Sequence, residues 1–192
     1  MSGQLVAVVV IGGGLVFATA TQLARRYALG RRGVTVRTVG GLPALLPYFF
    51  WVPYVVVATR PGPEVPLPDA ARWVGLLLTL AGVACSLWAI ATLGRHYDLV
   101  LEVHADHALV RGGPYRLVRH PVYAGLAIHF AGACLATGNL VLVAGTVLVI
   151  YPAFVARARA EEGLMRERFG ARYAAYAEEV GMLVPRLTGR RG

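Results

Sequence analysis

The chain has 192 residues, of which 57% are hydrophobic and only 15% charged. A soluble domain carries about 25% charged residues, so this composition excludes an ordinary soluble domain and places the chain in lipid. The net charge is +9 and all 19 basic residues are arginine. They gather in short segments between apolar runs rather than on one basic face, which excludes a nucleic-acid module and reads as a signal of membrane orientation.

A bilayer core about 30 Å thick needs about 20 apolar residues of helix. The first such run is Leu5 to Leu23. No basic residue precedes it and Arg25 and Arg26 follow it, the reverse of a cleaved signal, so a transmembrane helix is expected. Gly12-Gly13-Gly14 lies inside this run with no GxGxxG spacing and reads as close helix packing rather than a phosphate loop. A second span is expected over Gly40 to Thr59, kinked by Pro43, Pro47 and Pro53. After a loop rich in proline, a third runs from Trp73 to Leu93. The polar segment Gly94 to His120 follows.

From Pro121 to Ala156 there is not one Asp, Glu, Lys or Arg. Gly138-Asn139 near the middle is a turn signal, so the stretch is predicted to form a tight helical hairpin whose second arm leaves the membrane. Beyond Arg157, Leu164, Phe169, Tyr173 and Tyr176 recur at helical spacing among charges, as in an amphipathic cytoplasmic helix. The fold class predicted is all-α: a polytopic membrane bundle of about five transmembrane helices, a single domain over 1–192. Within it, residues 1–93 supply three spans and residues 94–192 the chemistry. Arginine-rich segments alternate sides, which puts the N-terminus outside and Gly94–His120 together with the C-terminal tail in the cytoplasm.

Cys85 and Cys134 lie inside apolar runs with no CxxC, and the five histidines fit no zinc spacing, so neither a disulfide framework nor a metal is expected. Two polar clusters stand out. The first runs from His107 to Tyr115 and on through Arg119, His120, Pro121, Val122, Tyr123 and Gly125. Pro121 suits a first helical turn, whose free amides attract anions; His120 or Arg119 would reinforce that attraction, and Gly113 and Gly125 would admit a ligand to the backbone. An ordinary membrane-interface segment also fits these residue types. The second cluster is Arg157, Glu161 and Glu162. Arg157 and Glu161 are four apart on one helix face, either as a ligand-binding pair or as a solvated ion pair at a membrane exit. His129, inside the fourth span, reads as a buried polar contact between helices or as a cavity-lining group.

Together, His107-x-Leu-Val-x-x-Gly-Pro-Tyr-x-x-x-Arg-His-Pro-x-Tyr-x-Gly125, an apolar hairpin, then Arg157, Glu161, Glu162, Leu164, Phe169, Gly170 and Tyr173 resemble the isoprenylcysteine carboxyl methyltransferase family. Phospholipid N-methyltransferases share a looser version. The resemblance covers Leu93 to Leu187 and implies S-adenosylmethionine as cofactor. Carried over, His107, Ala108, Leu109 and Val110 would line the cofactor through backbone and Tyr115 would contact it. His120, Pro121, Val122 and Tyr123 would surround its methionine end. Glu161 would take a polar group of the cofactor, and Arg157 would hold the acceptor's carboxylate or an equivalent head. The implied partner is an isoprenoid or lipid-like acceptor entering from the bilayer. Alternatives are O-methylation of a phenolic lipid, N-methylation of a lipid amine, with Glu161 or His120 as base, or a small non-catalytic transporter or scaffold. The family pattern often has a polar residue where this chain has Val100, for which Asp98 or Glu102 are substitutes. The stretch from Ala177 to Pro185 is also longer than usual.

Overall fold

The computed structural model describes residues 3–29, 35–39, 54, 56, 62–97, 101–104 and 109–186. Most of the predicted second span, along with Asp98, Val100, His107 and Ala108, lies outside the described residues. Helix α1 spans Gly3–Leu29. A strand β1, Thr35–Val39, pairs antiparallel with β2, Leu101–His104. Helix α2 spans Asp69–Leu93, α3 Pro121–Thr137, α4 Leu140–Phe169 and α5 Ala171–Glu179. Helices α1, α2 and α4 are long and apolar enough to cross a membrane, and α3 is a shorter apolar helix. The helical class stands. The ribbon is an addition that the sequence did not announce, joining the segment after α1 to the one after α2, two stretches expected on the same membrane face.

Helices α2 and α3 run antiparallel at unusually close range. Gly75 and Gly82 of α2 face Gly132 and Gly125 of α3, and a Cβ on any of the four would approach the opposite backbone to under 3.0 Å. Small residues let helices approach where no hydrophobic effect drives them together in lipid. Thr79 and Ser86, one helical turn after these glycines, donate back to the carbonyls of Gly75 and Gly82 at 2.9 and 3.0 Å, which satisfies their hydroxyls in the interface. Gly13 of α1 packs on Val83 and His129, at 3.3 and 3.4 Å for a Cβ placed there, so this one glycine of the three serves helix packing as expected, while a Cβ on Gly12 would meet nothing within 4 Å.

The hairpin turn falls where the sequence placed it. Gly138 ends α3 at φ +68°, the left-handed region that favours glycine. Asn139 then caps α4, its Oδ1 accepting from the amides of Val141 and Leu142 at 2.9 and 3.1 Å. The proline-rich segment crosses this turn, with the Val65 amide donating to Gly138 O at 2.9 Å. Helix α4 widens to a π turn over Thr146–Ile150, just before Pro152, which has no amide hydrogen to continue the α-helical ladder. It returns alongside α3, where Tyr151 Oη donates to Ala127 O at 2.9 Å. The predicted amphipathic tail is not one helix: α4 stops at Gly170, φ +51°, and α5 turns back to bury Tyr173 and Tyr176.

His129 is fully buried among α2, α3 and Tyr54. Its Nδ1 lies 3.3 Å from Thr79 O, which can only accept, so Nδ1 carries the proton and Nε2 accepts from Tyr54 Oη at 3.0 Å. Of the two readings of His129, the buried interhelical contact is the one observed. Leu15, Leu77 and Leu148, by contrast, point outward at 62%, 66% and 73% exposure, an apolar surface suited to lipid rather than water.

Candidate functional site

The first turn of α3 and the stretch of α4 after Phe154 meet at one end of the bundle. Pro121 opens α3, and His120 precedes it without a side-chain cap bond, so the first amides of the helix meet no capping side chain. Tyr123 is in that turn. Phe154, Arg157 and Glu161 follow at helical spacing on α4 and face it. Tyr123 Oη donates to Glu161 Oε1 and accepts from Arg157 Nε at 2.6 Å. Arg157 Nε also lies 3.3 Å from Glu161 Oε1, and the arginine is only 3% exposed. The tyrosine hydroxyl thereby joins an acid and a cation in a low-dielectric setting.

His120 completes the cluster. Its ring stacks on Tyr123 with centroids 5.8 Å apart at 18°, and Tyr123 stacks on Phe154 with the same separation and angle. Its Nδ1 is 3.4 Å from Glu161 Oε2, and its Nε2 is 3.4 Å from Glu162 Oε1. Nε2 is buried and makes no hydrogen bond. Burial disfavours the charged ring, but the two carboxylates outweigh it and raise its pKa above the ordinary histidine value.

Of the residues that the sequence singled out, His120, Tyr123, Arg157 and Glu161 are brought together. Leu109 and Val110 are half-buried ahead of the turn. Tyr115 is buried, its hydroxyl 3.5 Å from Ala89 O, while its own carbonyl accepts from Tyr176 Oη at 2.6 Å. Pro121 is buried, and the Val122 carbonyl accepts from Ser86 Oγ at 3.0 Å, facing α2. Two expectations are corrected. Gly125 gives close approach to α2 rather than to a ligand. Arg119 is not open to an anion: its Nε and Nη2 donate to Glu162 Oε1 at 2.8 and 2.6 Å, and its Nη1 donates to the carbonyls of Ala177 and Val180. Sequence reading also gave Glu162 no role. The signal available was the paired acids one turn beyond Arg157, but adjacency alone does not say which acid takes which partner.

The model of the phospholipid methyltransferase family matches residues 70–172, more than half of the chain. The chain belongs to the phospholipid methyltransferase family. Family relatives include the probable protein-S-isoprenylcysteine O-methyltransferase of Oryza sativa subsp. indica, 33% identical over 115 residues, 59% of this chain and 60% of the rice protein. Protein-S-isoprenylcysteine O-methyltransferase A of Arabidopsis thaliana is 34% identical over 118 residues, with the same two shares, 59% and 60%. The chain thus spans about three fifths of the length of these relatives. The solved structure of a eukaryotic intramembrane Ras methyltransferase, isoprenylcysteine carboxyl methyltransferase, superposes with a TM-score of 0.58 at 25% identity, covering 74% of this chain and 48% of that one. The resemblance to isoprenylcysteine carboxyl methyltransferases therefore holds, and the chain is an integral membrane protein.

Proposed function

We propose that this family member methylates a carboxylate on an isoprenoid or other lipid-like acceptor, with S-adenosylmethionine as donor. The observation that carries the reading is the Glu161–Tyr123–Arg157 cluster beside the uncapped start of α3. It offers an acid for an ammonium and helix amides, with His120, for a carboxylate, the two charges of an amino-acid zwitterion. The geometry fits such a cradle, since His120 Nδ1 and Glu161 Oε2 stand 3.4 Å apart beside the first turn of α3. His120, Pro121, Val122, Tyr123 and Glu161 would hold the methionine end; Leu109, Val110 and Tyr115, with His107 and Ala108, would hold the remainder. Bound there, S-adenosylmethionine supplies an electrophilic methyl group on its sulfonium.

The chain's own work is binding, alignment and exclusion of water. Arg157 orients the acceptor's anionic head. Phe154 and Tyr123 wall the approach from the bilayer. A carboxylate acceptor needs no proton removed, whereas an amine or phenol does. The site is poor in free base: Glu161 and Glu162 are engaged by cations, and the two carboxylates shift His120 between them toward its protonated form. This favours carboxylate over amine and phenol. In this reading residues 94–192 form the cofactor-binding half, with the C-terminus and the site on the cytoplasmic side and the N-terminus outside.

Purified protein in detergent should bind S-adenosylhomocysteine in calorimetry and transfer labelled methyl to a prenylcysteine acid, but not to a phospholipid amine or a phenolic lipid. Absence of any S-adenosylhomocysteine binding by folded protein would sink the proposal. Cysteine-accessibility labelling at residues 2 and 186 in sealed vesicles tests the orientation.

A further inference from the structure

Glu162 and Arg119 form a buried ion pair, their side chains 9% and 8% exposed. One carboxylate oxygen, Glu162 Oε1, takes two Arg119 donors at 2.8 and 2.6 Å and lies 3.4 Å from His120 Nε2. The other oxygen is 3.5 Å from Arg166. Arg119 in turn ties down the end of α5 and the chain after it, through the carbonyls of Ala177 and Val180 and through its own amide to Gly181 O at 2.8 Å. The next amide, that of His120, donates to Met182 O at 3.0 Å. The backbone of His120 is thus pinned on one side and its ring is flanked by Glu162 on the other.

A single isolated i,i+4 pair or a surface bridge would carry little. Here the pair is buried, forked and aimed at a neighbour of the proposed cofactor cradle. We infer that Glu162 is a positioning residue: with Arg119 it fixes the His120 ring so that Nδ1 faces Glu161 and the mouth of α3. This rests on the proposed function for its ligand, though not for its geometry.

The groups facing His120 from each packed element define the charge balance. Helix α4 presents Glu161 and Glu162, α3 presents the Tyr123 face, and Arg119 precedes it in the chain. Behind these, Arg157 pairs with Glu161, and Tyr173 of α5 adjoins Arg119 and Glu162. Two acids flank one ring, so removing either weakens its hold on a proton. An imidazolium next to the start of α3 attracts a carboxylate, and a neutral ring does so less.

The experiment measures S-adenosylhomocysteine affinity by calorimetry from pH 5.5 to 9 for the full chain in detergent. Wild type should lose affinity as pH rises through the His120 transition. In Glu162→Gln the loss should begin about one pH unit lower, the scale of an opposite charge within hydrogen-bonding reach. Arg119→Lys keeps Glu162 charged and should lower the melting temperature while leaving the pH midpoint near wild type. If Glu162→Gln fails to fold, Glu162→Asp, whose carboxylate is drawn back from Nε2, should shift the midpoint in the same direction by less. A lowered melting temperature with an unmoved midpoint in both Glu162 variants would assign a structural role only and overturn the inference. Wild-type protein that binds nothing at any pH would instead overturn the proposed function.

Discussion

The Gly125→Ala substitution puts the α2–α3 interlock to the test. The new methyl would lie 2.7 Å from the Gly82 carbonyl and 2.8 Å from the Ser86 amide, where ordinary contact begins at 3.4 Å. The helices would have to part by roughly 0.7 Å locally, and backbone rarely yields as a side chain does. Overpacking of this kind costs ~1–3 kcal/mol. The hydroxyl of Ser86, shared between the carbonyls of Gly82 and Val122 at 3.0 Å each, would lose its geometry for ~1 kcal/mol. Alanine's better helix propensity returns ~1 kcal/mol. The net expectation is a loss of about 1–3 kcal/mol, read as a lowered melting temperature in detergent. Because Gly125 is two residues past Tyr123, the displacement should also weaken S-adenosylhomocysteine binding. Gly12→Ala is the internal control, since a Cβ there meets nothing within 4 Å; it should be neutral or mildly stabilising. If both variants melt alike and bind alike, the close-approach reasoning is wrong.

Three further outcomes are expected. Glu161→Gln removes the charge that Tyr123, Arg157 and His120 surround; losing a charge-assisted bond of ~1.5–3 kcal/mol should weaken S-adenosylhomocysteine about 10- to 100-fold in calorimetry, and an unchanged affinity would remove Glu161 from the site. His120 has a raised pKa in the folded chain, so its stabilising contribution is complete below the ordinary value of about 6.5 and fades as pH rises through the higher folded value. The melting temperature should therefore drop across that window in wild type and drop less in His120→Gln, and parallel curves would refute the assignment. Tyr54→Phe takes the 3.0 Å donor from His129 Nε2; the expected cost is ~1–3 kcal/mol in thermal melts, since a buried acceptor loses a bond.

Much of the fold is legible in the sequence because it is local. The apolar runs mark α1, α2 and the hairpin, and Gly138-Asn139 marks the turn because glycine readily accepts the left-handed step and asparagine caps the second arm. The pairing of Arg157 with Glu161 follows from helical spacing. The seven-residue recurrence of Gly75 with Gly82 and of Gly125 with Gly132 is also visible, but which glycine meets which depends on how two helices slide past each other. The pairing of Arg119 with Glu162 is not legible in the sequence for the same reason.

The residue order by itself determined that α1, α2 and the two arms of the hairpin are helices, that their apolar stretches suit lipid, and that the polar groups collect in the connections. Those outcomes rest on composition and on spacing within a turn or two of helix. Only the packed structure decided that adjacent acids take different work. Successive residues on a helix point about 100° apart, so Glu161 turns toward Tyr123 and Arg157 while Glu162 turns toward Arg119. That choice is fixed by Tyr123 and Arg119, brought opposite each direction from more than thirty residues away by the close approach of α2 and α3 and the return of α4.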